Sequence, residues 1–243
     1  MPIQKLDHSP YDYEFNVRGK HVTTNLHFLN KILKRMLKGY SPIICICGGQ
    51  RNGKSFIAVW ISYLVMKAFS KRIDWNKNAV YDPIETTRKI TSLSEEIFML
   101  DEASSSFHKR EWFKRINIAF SKIIITQGRK TLCYIFVSPF VNDIDKSFTK
   151  HFDFIVRVQT RGNIKVFKVM KRFDSMLENR TTYQIHQDDV KVFMKDVPKK
   201  LWEDYNDFSN KEKDRIERLL TQEFKVRNAE EKIKDIKSVL RSV

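Results

Sequence analysis

The sequence is poor in the residues that mark several classes of protein. Its 243 residues include only 7 Gly, 6 Pro and 3 Cys. This composition excludes a fibrous repeat, and the odd number of cysteines excludes a scaffold built on disulfides. Cys45 and Cys47 alternate within an apolar run, which favours a reducing, cytosolic compartment.

Long apolar runs are also lacking. Residues 1–10 contain no apolar core of the kind that a signal peptide needs. The longest apolar stretch, 56–66, is too short to cross about 30 Å of hydrocarbon. We therefore expect a soluble, cytoplasmic protein (in the host cytoplasm if it is viral) with no direct membrane insertion.

Acidic residues are outnumbered, with 29 Asp and Glu against 45 Lys and Arg and a formal net charge of +16. Residues 105–173 hold 15 of the basic residues and 4 acidic ones, so most of the excess lies in under a third of the chain. A strong positive charge is typical of proteins with a polyanionic partner, although a solvated lysine-rich surface is the alternative. Double-stranded DNA is the expected partner.

Hydrophobic residues make up 42% of the chain, enough for one sizeable core. Their spacing predicts alternating strands and helices, and therefore an α/β fold with a mostly parallel sheet between helices. The predicted helices are 25–38, 56–70, 111–127 and 144–150, and the predicted strands are 43–47, 79–81, 97–100, 132–137, 154–158 and 164–169. Gly162-Asn163 between the last two strands indicates a terminal β-hairpin.

These patterns divide the chain into three segments. Residues 1–40 are interpreted as an extended lead-in and an amphipathic helix, and residues 41–197 as the core domain. From Pro198 the composition changes to charged, helix-forming residues with a sparse apolar stripe. Residues 198–243 are therefore predicted to form a helical C-terminal tail.

Residues 48–55 match G-x-x-x-x-G-K-[ST], the P-loop motif, between an apolar strand and a helix. Glycines let backbone N–H groups converge on phosphate oxygens, Lys54 can reach the outer phosphates, and the Ser55 hydroxyl can bind Mg²⁺. ATP and Mg²⁺ are the expected cofactors; a fortuitous glycine turn is the alternative. The predicted nucleotide-binding residues are Gly48, Gly49, Gln50, Arg51, Asn52, Gly53, Lys54, Ser55 and Phe56.

An acidic pair follows the apolar strand at residues 97–100. In open α/β sheets ligands bind at the carboxyl ends of the strands, so Asp101 is predicted to hold the metal together with Ser55. Glu102, the next residue, is positioned to act as a general base on the attacking water. The alternative is that this acidic pair caps a helix.

Together, the loop 48–55, the acid strand 97–102 and the strand 132–138 resemble the FtsK/HerA-type branch of additional-strand (RecA-like) P-loop ATPases. Within it, the sequence looks like the packaging ATPases of archaeal viruses and plasmids and the zonula occludens toxin-like ATPase domains. The resemblance covers about residues 43–169. It implies ATP hydrolysis by a homo-oligomeric ring.

The resemblance also implies two further catalytic residues. Members of the branch place a polar sensor, often Gln, after the strand that follows the acid strand, and Ser138 occupies that position here. A neighbouring subunit commonly supplies an arginine. The candidates are Arg110, Arg115, Arg129 and Arg161, of which Arg129 is preferred.

The basic segment that follows the acid strand is the predicted DNA-binding region. Its cations can neutralise phosphates, whereas the aromatic residues among them are assigned to the core. The predicted DNA-binding residues are Lys109, Arg110, Lys114 and Arg115.

The favoured function is an ATP-driven motor that translocates or packages DNA, in viral genome packaging or plasmid transfer. Viral capsid or transfer-complex proteins are possible partners. Three alternatives remain open: a nucleotide-switch ATPase that binds DNA or a protein without moving it, a virion-assembly ATPase, and a small-molecule kinase. Glu102 argues against the kinase, which has no need to activate water.

Overall fold

The computed structural model describes residues 13–17, 20–24, 26–81, 83–90, 92–101, 130–144, 149, 151–173 and 179–240. The chain divides into two compact units, Met1–Trp202 and Glu203–Val243. In the parts of the chain that are described, no helix combines the length and the apolar character needed to cross a membrane.

The first unit is built on a seven-stranded sheet. Its strands are β3 (Ile43–Cys47), β4 (Ala79–Val80), β5 (Ile97–Leu100), β6 (Cys133–Ser138), β7 (Phe154–Thr160), β8 (Asn163–Phe173) and β9 (Asn179–Lys191). They lie in the order β4-β5-β6-β3-β7-β8-β9. The first five strands in this order pair parallel, whereas β8 pairs antiparallel with both β7 and β9.

This architecture confirms the predicted fold class, a RecA-like P-loop NTPase fold. The P-loop strand β3 and the acid strand β5 are not neighbours, because β6 lies between them. That inserted strand is the additional strand of the predicted class. The carboxyl ends of β3, β5 and β6 therefore meet at one edge of the sheet, where the P-loop and the acid strand end.

The described α-helices before Lys199 are α1 (His27–Leu37), α2 (Lys54–Ala68), α3 (Trp75–Asn78) and α4 (Pro83–Ile90). Helix α2 packs against β3, β5 and β6, and α1 packs against α2. Strands β3, β5 and β6 are buried at every residue, as expected for parallel strands covered on both faces. Their continuous apolar runs made these strands predictable to within about one residue.

Alternate residues of the central strands form one apolar cluster. It includes Cys45, Phe98, Tyr134, Phe136 and Ile155, and Ile90 of α4 joins it. Phe98 and Tyr134 meet edge to face with ring centroids 6.3 Å apart, a favoured arrangement for aromatic rings. The cluster holds the acid strand β5 against β6, and so fixes where Asp101 emerges.

Several described elements, α3 among them, were not predicted from the sequence. Strands β1 (Tyr13–Val17) and β2 (Lys20–Thr24) pair antiparallel within the predicted lead-in. Helix α4 begins at Pro83 and carries Glu85 in its first turn and basic residues in its last, a signal that was available in the sequence. Strand β9 has no unbroken apolar run and pairs in the sheet through β8.

The predicted helical tail is confirmed as α5 (Lys199–Leu240). The second unit consists of this helix from Glu203 onward. The predicted helix 111–127 lies outside the described residues, as does most of the predicted helix 144–150.

Candidate functional site

The P-loop that follows β3 has a left-handed backbone at two of its residues. Gly53 has φ +84° and is the N-cap of α2, and Arg51 is also left-handed, with φ +61°. No side chain caps this helix, and its first turn contains no acidic residue. The first-turn N–H groups and the positive end of the helix dipole are therefore presented to an anion.

The β7–β8 hairpin lies against the loop at three successive points. A Cβ on Gly48 would be 2.5 Å from the carbonyl oxygen of Val158. Asn52 Nδ2 donates a 3.2 Å hydrogen bond to the carbonyl of Gln159. A Cβ on Gly53 would be 3.7 Å from Cγ of Arg161. The shape of the P-loop is thus set partly by a hairpin that follows it by more than a hundred residues.

Lys54, the first residue of α2, folds back onto the loop. Its ammonium group donates a 2.9 Å hydrogen bond to the carbonyl of Gly49. The cation therefore lies over the loop, where Lys54 was predicted to contact the outer phosphates.

Ser55 and Asp101 are in direct contact, although 46 residues separate them in the chain. The Ser55 hydroxyl donates a 2.9 Å hydrogen bond to Oδ2 of Asp101. Asp101 is only 1% exposed, and its backbone N–H donates to the carbonyl of Val80 at 3.0 Å. The structure thus brings together the two residues that were predicted to share one metal ion.

Tyr81 is a site residue that the sequence reasoning missed. Its hydroxyl donates a 3.0 Å hydrogen bond to the same oxygen, Asp101 Oδ2, and the side chain is buried. Tyr81 directly follows β4, which pairs with β5 through Val80 and Leu100. Only the strand order brings it to Asp101, so no local sequence signal could have identified it.

Ser138 ends β6 opposite Cys47, the last residue of β3. Its buried hydroxyl donates a 2.9 Å hydrogen bond to the carbonyl of Phe140. The following residue, Pro139, accepts a hydrogen bond from the backbone N–H of Gly48 at 3.1 Å. Ser138 is therefore next to the P-loop in the sheet, and its sensor role stays a prediction.

Phe56 was predicted among the nucleotide-binding residues. Its side chain is buried and packs edge to face on Trp202, with ring centroids 5.4 Å apart. Its contribution to a phosphate site would come from its backbone N–H in the first turn of α2.

Several predicted site residues lie outside the described part of the chain. They are the proposed base Glu102, the preferred arginine Arg129, and the DNA-binding residues Lys109, Arg110, Lys114 and Arg115. Their roles stay predictions.

Arg161, one of the four arginine candidates, has a definite place. It lies at the tip of the β7–β8 hairpin, and its aliphatic stem reaches Gly53 of its own chain. A second arginine of the hairpin, Arg157, is also close to the loop. Burial raises the pKa of the Cys47 thiol, while the charges of Arg157 and Lys54 act in the opposite direction.

A cavity of about 630 Å³ adjoins the P-loop, which is within the size range of small-molecule sites. Its lining includes Gly48, Gly49 and Asn52 on one side and Arg157 and Gln159 of β7 on another. Lys54, Ser55 and Asp101 are not in that lining. The cavity therefore lies beside these three residues, between the loop and the hairpin.

No family model and no curated protein matches this sequence, but solved structures do. The genome packaging NTPase B204 of Sulfolobus turreted icosahedral virus 2, in complex with sulfate, is 13% identical with a TM-score of 0.39, covering 63% of this chain and 98% of that chain. The N-terminal domain of zonular occludens toxin from Neisseria meningitidis is 11% identical with a TM-score of 0.34, covering 68% and 98%. Rhizobiales Trip13 is 16% identical with a TM-score of 0.30, covering 56% and 52%.

The packaging NTPase and the toxin domain are of the two kinds that the sequence motifs resemble. The assignment of fold comes from this chain itself, through its strand order, its glycine loop and the acid at the end of β5. The chain has the fold of a P-loop NTPase.

Proposed function

We propose that this chain is an ATP-hydrolysing DNA motor of the FtsK/HerA type, which works as a homo-oligomer and translocates or packages DNA. The observation that carries the hydrolytic part is the 2.9 Å hydrogen bond from Ser55 Oγ to Asp101 Oδ2. It unites the end of the P-loop with the end of the acid strand, and this pairing is what a metal–triphosphate site requires.

The residues present fit Mg²⁺ as the metal. A hydroxyl and a carboxylate are hard oxygen donors, which Mg²⁺ prefers, and it ordinarily keeps several waters besides. In this site Ser55 Oγ and the Asp101 carboxylate would hold it. The ion would supply positive charge that stabilises the phosphate oxygens during transfer.

The rest of the site acts on the phosphates through fixed positive groups. The N–H groups of the first turn of α2 would bind phosphate oxygens, because the N-cap residue Gly53 has no side chain to cap them and the first turn contains no acidic residue. Lys54 would exchange its present hydrogen bond with Gly49 for the outer phosphates. Glu102 would take the proton of the attacking water, since it directly follows the metal-holding Asp101.

Arg161 is proposed to contact phosphate from within its own subunit. Its stem lies against Gly53, and its guanidinium extends three bonds further from Cγ. A cation at this point can stabilise charge that develops on the transferred phosphoryl group. Arg129 remains the proposed arginine from the neighbouring subunit.

The net charge of +16 supports DNA as the polyanionic partner. The motor and the nucleotide switch share the same hydrolytic site, and they differ in whether turnover moves DNA. A DNA translocation assay therefore separates them: strand displacement or movement coupled to ATP supports the motor, and DNA binding without movement supports the switch.

The hydrolytic proposal is tested by phosphate release with and without double-stranded DNA. Lys54→Ala and Asp101→Asn should each lower turnover at least about 100-fold, because each removes a group that stabilises transition-state charge. Glu102→Gln should abolish turnover and retain ATP binding. Hydrolysis at the parental rate by Lys54→Ala would refute the assigned site.

A further inference from the structure

The first unit carries a second concentration of positive charge, away from the P-loop. Helix α1 contains no acidic residue, and its sequence includes Lys31, Lys34 and Arg35, followed by Lys38. These cations recur about every turn and so share a face of the helix. A groove of about 280 Å³ runs along this face, and the other side of the groove is formed by Asp153, Phe154, Lys168 and Val169.

The groove contains one acid in its described lining, and that acid is already engaged. Asp153 Oδ1 lies 3.2 Å from Nη1 of Arg35. Its other oxygen, Oδ2, accepts a 2.9 Å hydrogen bond from the backbone N–H of Ile43. Asp153 thus pairs with Arg35 and ties α1 to the start of β3. The described lining of the groove holds five cations and this one acid.

The lysines are close enough to affect one another. The pKa of Lys31 is lowered by partial burial and by the charge of Lys168 across the groove. The pKa of His27 is lowered by burial and by the charges of Lys31 and Lys34. Like charges held this close repel one another, and an anion bound between them would relieve this repulsion.

Helix stability alone does not account for this arrangement. Lys34 and Arg35 lie in the last turn of α1, where cations favour the helix dipole. Lys31 lies a turn earlier, and Lys168 belongs to β8, opposite Phe154 of β7. Two separate elements therefore contribute cations to one groove.

The groove lies at the opposite edge of the sheet from the P-loop. Ile43, which contacts Asp153, begins β3, whereas Cys47 ends it at the P-loop. Four residue steps of a parallel strand separate these edges by about 13 Å. A ligand in the groove would therefore leave the phosphate cradle accessible.

The shape of the groove favours a chain of phosphates. Lys31 to Lys38 covers seven residues of helix, a rise of about 10 Å, so the cations form a row instead of a ring around one anion. Apart from the cations and Asp153, the lining consists of Phe154 and Val169, whose side chains offer no hydrogen-bonding group to a base edge.

We propose that this groove binds the phosphate backbone of nucleic acid without sequence preference. The inference deepens the DNA-binding part of the proposed function and rests on it for its biological meaning. The groove would hold DNA at one edge of the sheet while ATP is hydrolysed at the other.

The test is the binding of a fluorescein-labelled random duplex, measured by fluorescence anisotropy at several salt concentrations and without nucleotide. The groove variant combines Lys34→Ala, Lys38→Ala and Lys168→Ala. The control variant combines Lys200→Ala, Lys211→Ala and Arg218→Ala, which are exposed cations outside the groove. Both variants lose three positive charges.

The groove variant should bind the duplex about tenfold or more weakly, with a salt dependence of log K shallower by about 2 to 3, because each phosphate contact contributes about 0.9 to the slope. The control should stay close to the parent. Equal losses in both variants would show a general effect of charge and overturn the proposal. Retained duplex binding with lost binding to phosphatidylserine vesicles would overturn it in favour of a membrane surface.

A measurement of phosphate release without DNA tests ATP hydrolysis separately from duplex binding. The groove variant should hydrolyse ATP at the parental rate, since none of its three residues lies at the P-loop. Loss of duplex binding with intact hydrolysis supports the groove. Parental duplex binding refutes the groove and leaves the hydrolytic site unaffected.

Discussion

Tyr81 and Ser55 donate hydrogen bonds to the same oxygen of Asp101, at 3.0 Å and 2.9 Å. The three residues come from the ends of β4, the P-loop and β5, and Asp101 is buried among them. Tyr81 therefore orients the carboxylate that is proposed to hold the metal. Such outer partners commonly determine how well a metal site binds its ion.

Replacing Tyr81 by phenylalanine removes this hydrogen bond and leaves the ring in place. We expect the Mg²⁺ concentration for half-maximal hydrolysis to rise about tenfold, as for other outer-shell partners of metal ligands. Titration of phosphate release with Mg²⁺ measures the effect. Tyr134→Phe is the matched control, because the buried Tyr134 hydroxyl has no hydrogen-bond partner in the described structure; an equal rise in both variants would argue against a positioning role.

Ser55→Ala removes the proposed ligand together with its hydrogen bond to Asp101. Hydrolysis that depends on Mg²⁺ should fall about 100-fold or more, whereas Ser55→Thr, which the motif permits, should retain most of it. Ser62→Ala provides a control on the same helix, since the buried Ser62 hydroxyl is without a partner among the described residues. Undiminished hydrolysis by Ser55→Ala would contradict the metal site.

Gly48→Ala should distort the P-loop. The new Cβ would lie 2.5 Å from the carbonyl oxygen of Val158, and we expect the free energy of unfolding to fall by about 2 kcal/mol or more. At Gly39, φ is +82° and no atom of the described residues lies within 4 Å of the added Cβ. Gly39→Ala should therefore lower the free energy of unfolding only by the strain of a left-handed alanine, about 1 kcal/mol. Urea unfolding of both variants measures the two losses in the free energy of unfolding. Because of the clash with Val158, we expect the larger loss for Gly48→Ala.

Arg161→Ala should lower turnover about 10- to 100-fold if its guanidinium contacts phosphate. Lys191→Ala, an exposed cation on β9, is the control and should have little effect. A mixing experiment then identifies the subunit on which Arg161 acts. Combining Arg161→Ala with Lys54→Ala subunits should restore no activity, because each subunit would still lack one part of its own site; recovery on mixing would show that Arg161 acts on the neighbouring subunit.

Much of the central fold was predictable because its elements carry local signals. Strand β3 was predicted with its observed bounds, and the acid strand β5 likewise, because both are short unbroken apolar runs. Helix α2 begins two residues earlier than predicted, at Lys54. Glycine and lysine in this loop are characteristic of the motif, but they do not show where the first helical hydrogen bond closes.

The hairpin was recognisable from Gly162-Asn163, but its position against the P-loop was not. The contacts of Val158, Gln159 and Arg161 with the loop depend on β7 pairing directly with β3. The sequence of one segment does not show which distant segment it pairs with. For the same reason, Arg161 was one of four arginine candidates in the sequence and has a definite neighbour only in the structure.

The proposed nucleotide site could be predicted from short segments of the chain. A glycine loop before a helix and an acid after an apolar strand each depend only on neighbouring residues. Folding alone supplies the geometry. The sheet order places Ser55, Tyr81 and Asp101 on one oxygen, and it sets the lysines of α1 opposite Lys168. These contacts join residues far apart in the chain, and their positions are fixed by the packing of the whole sheet.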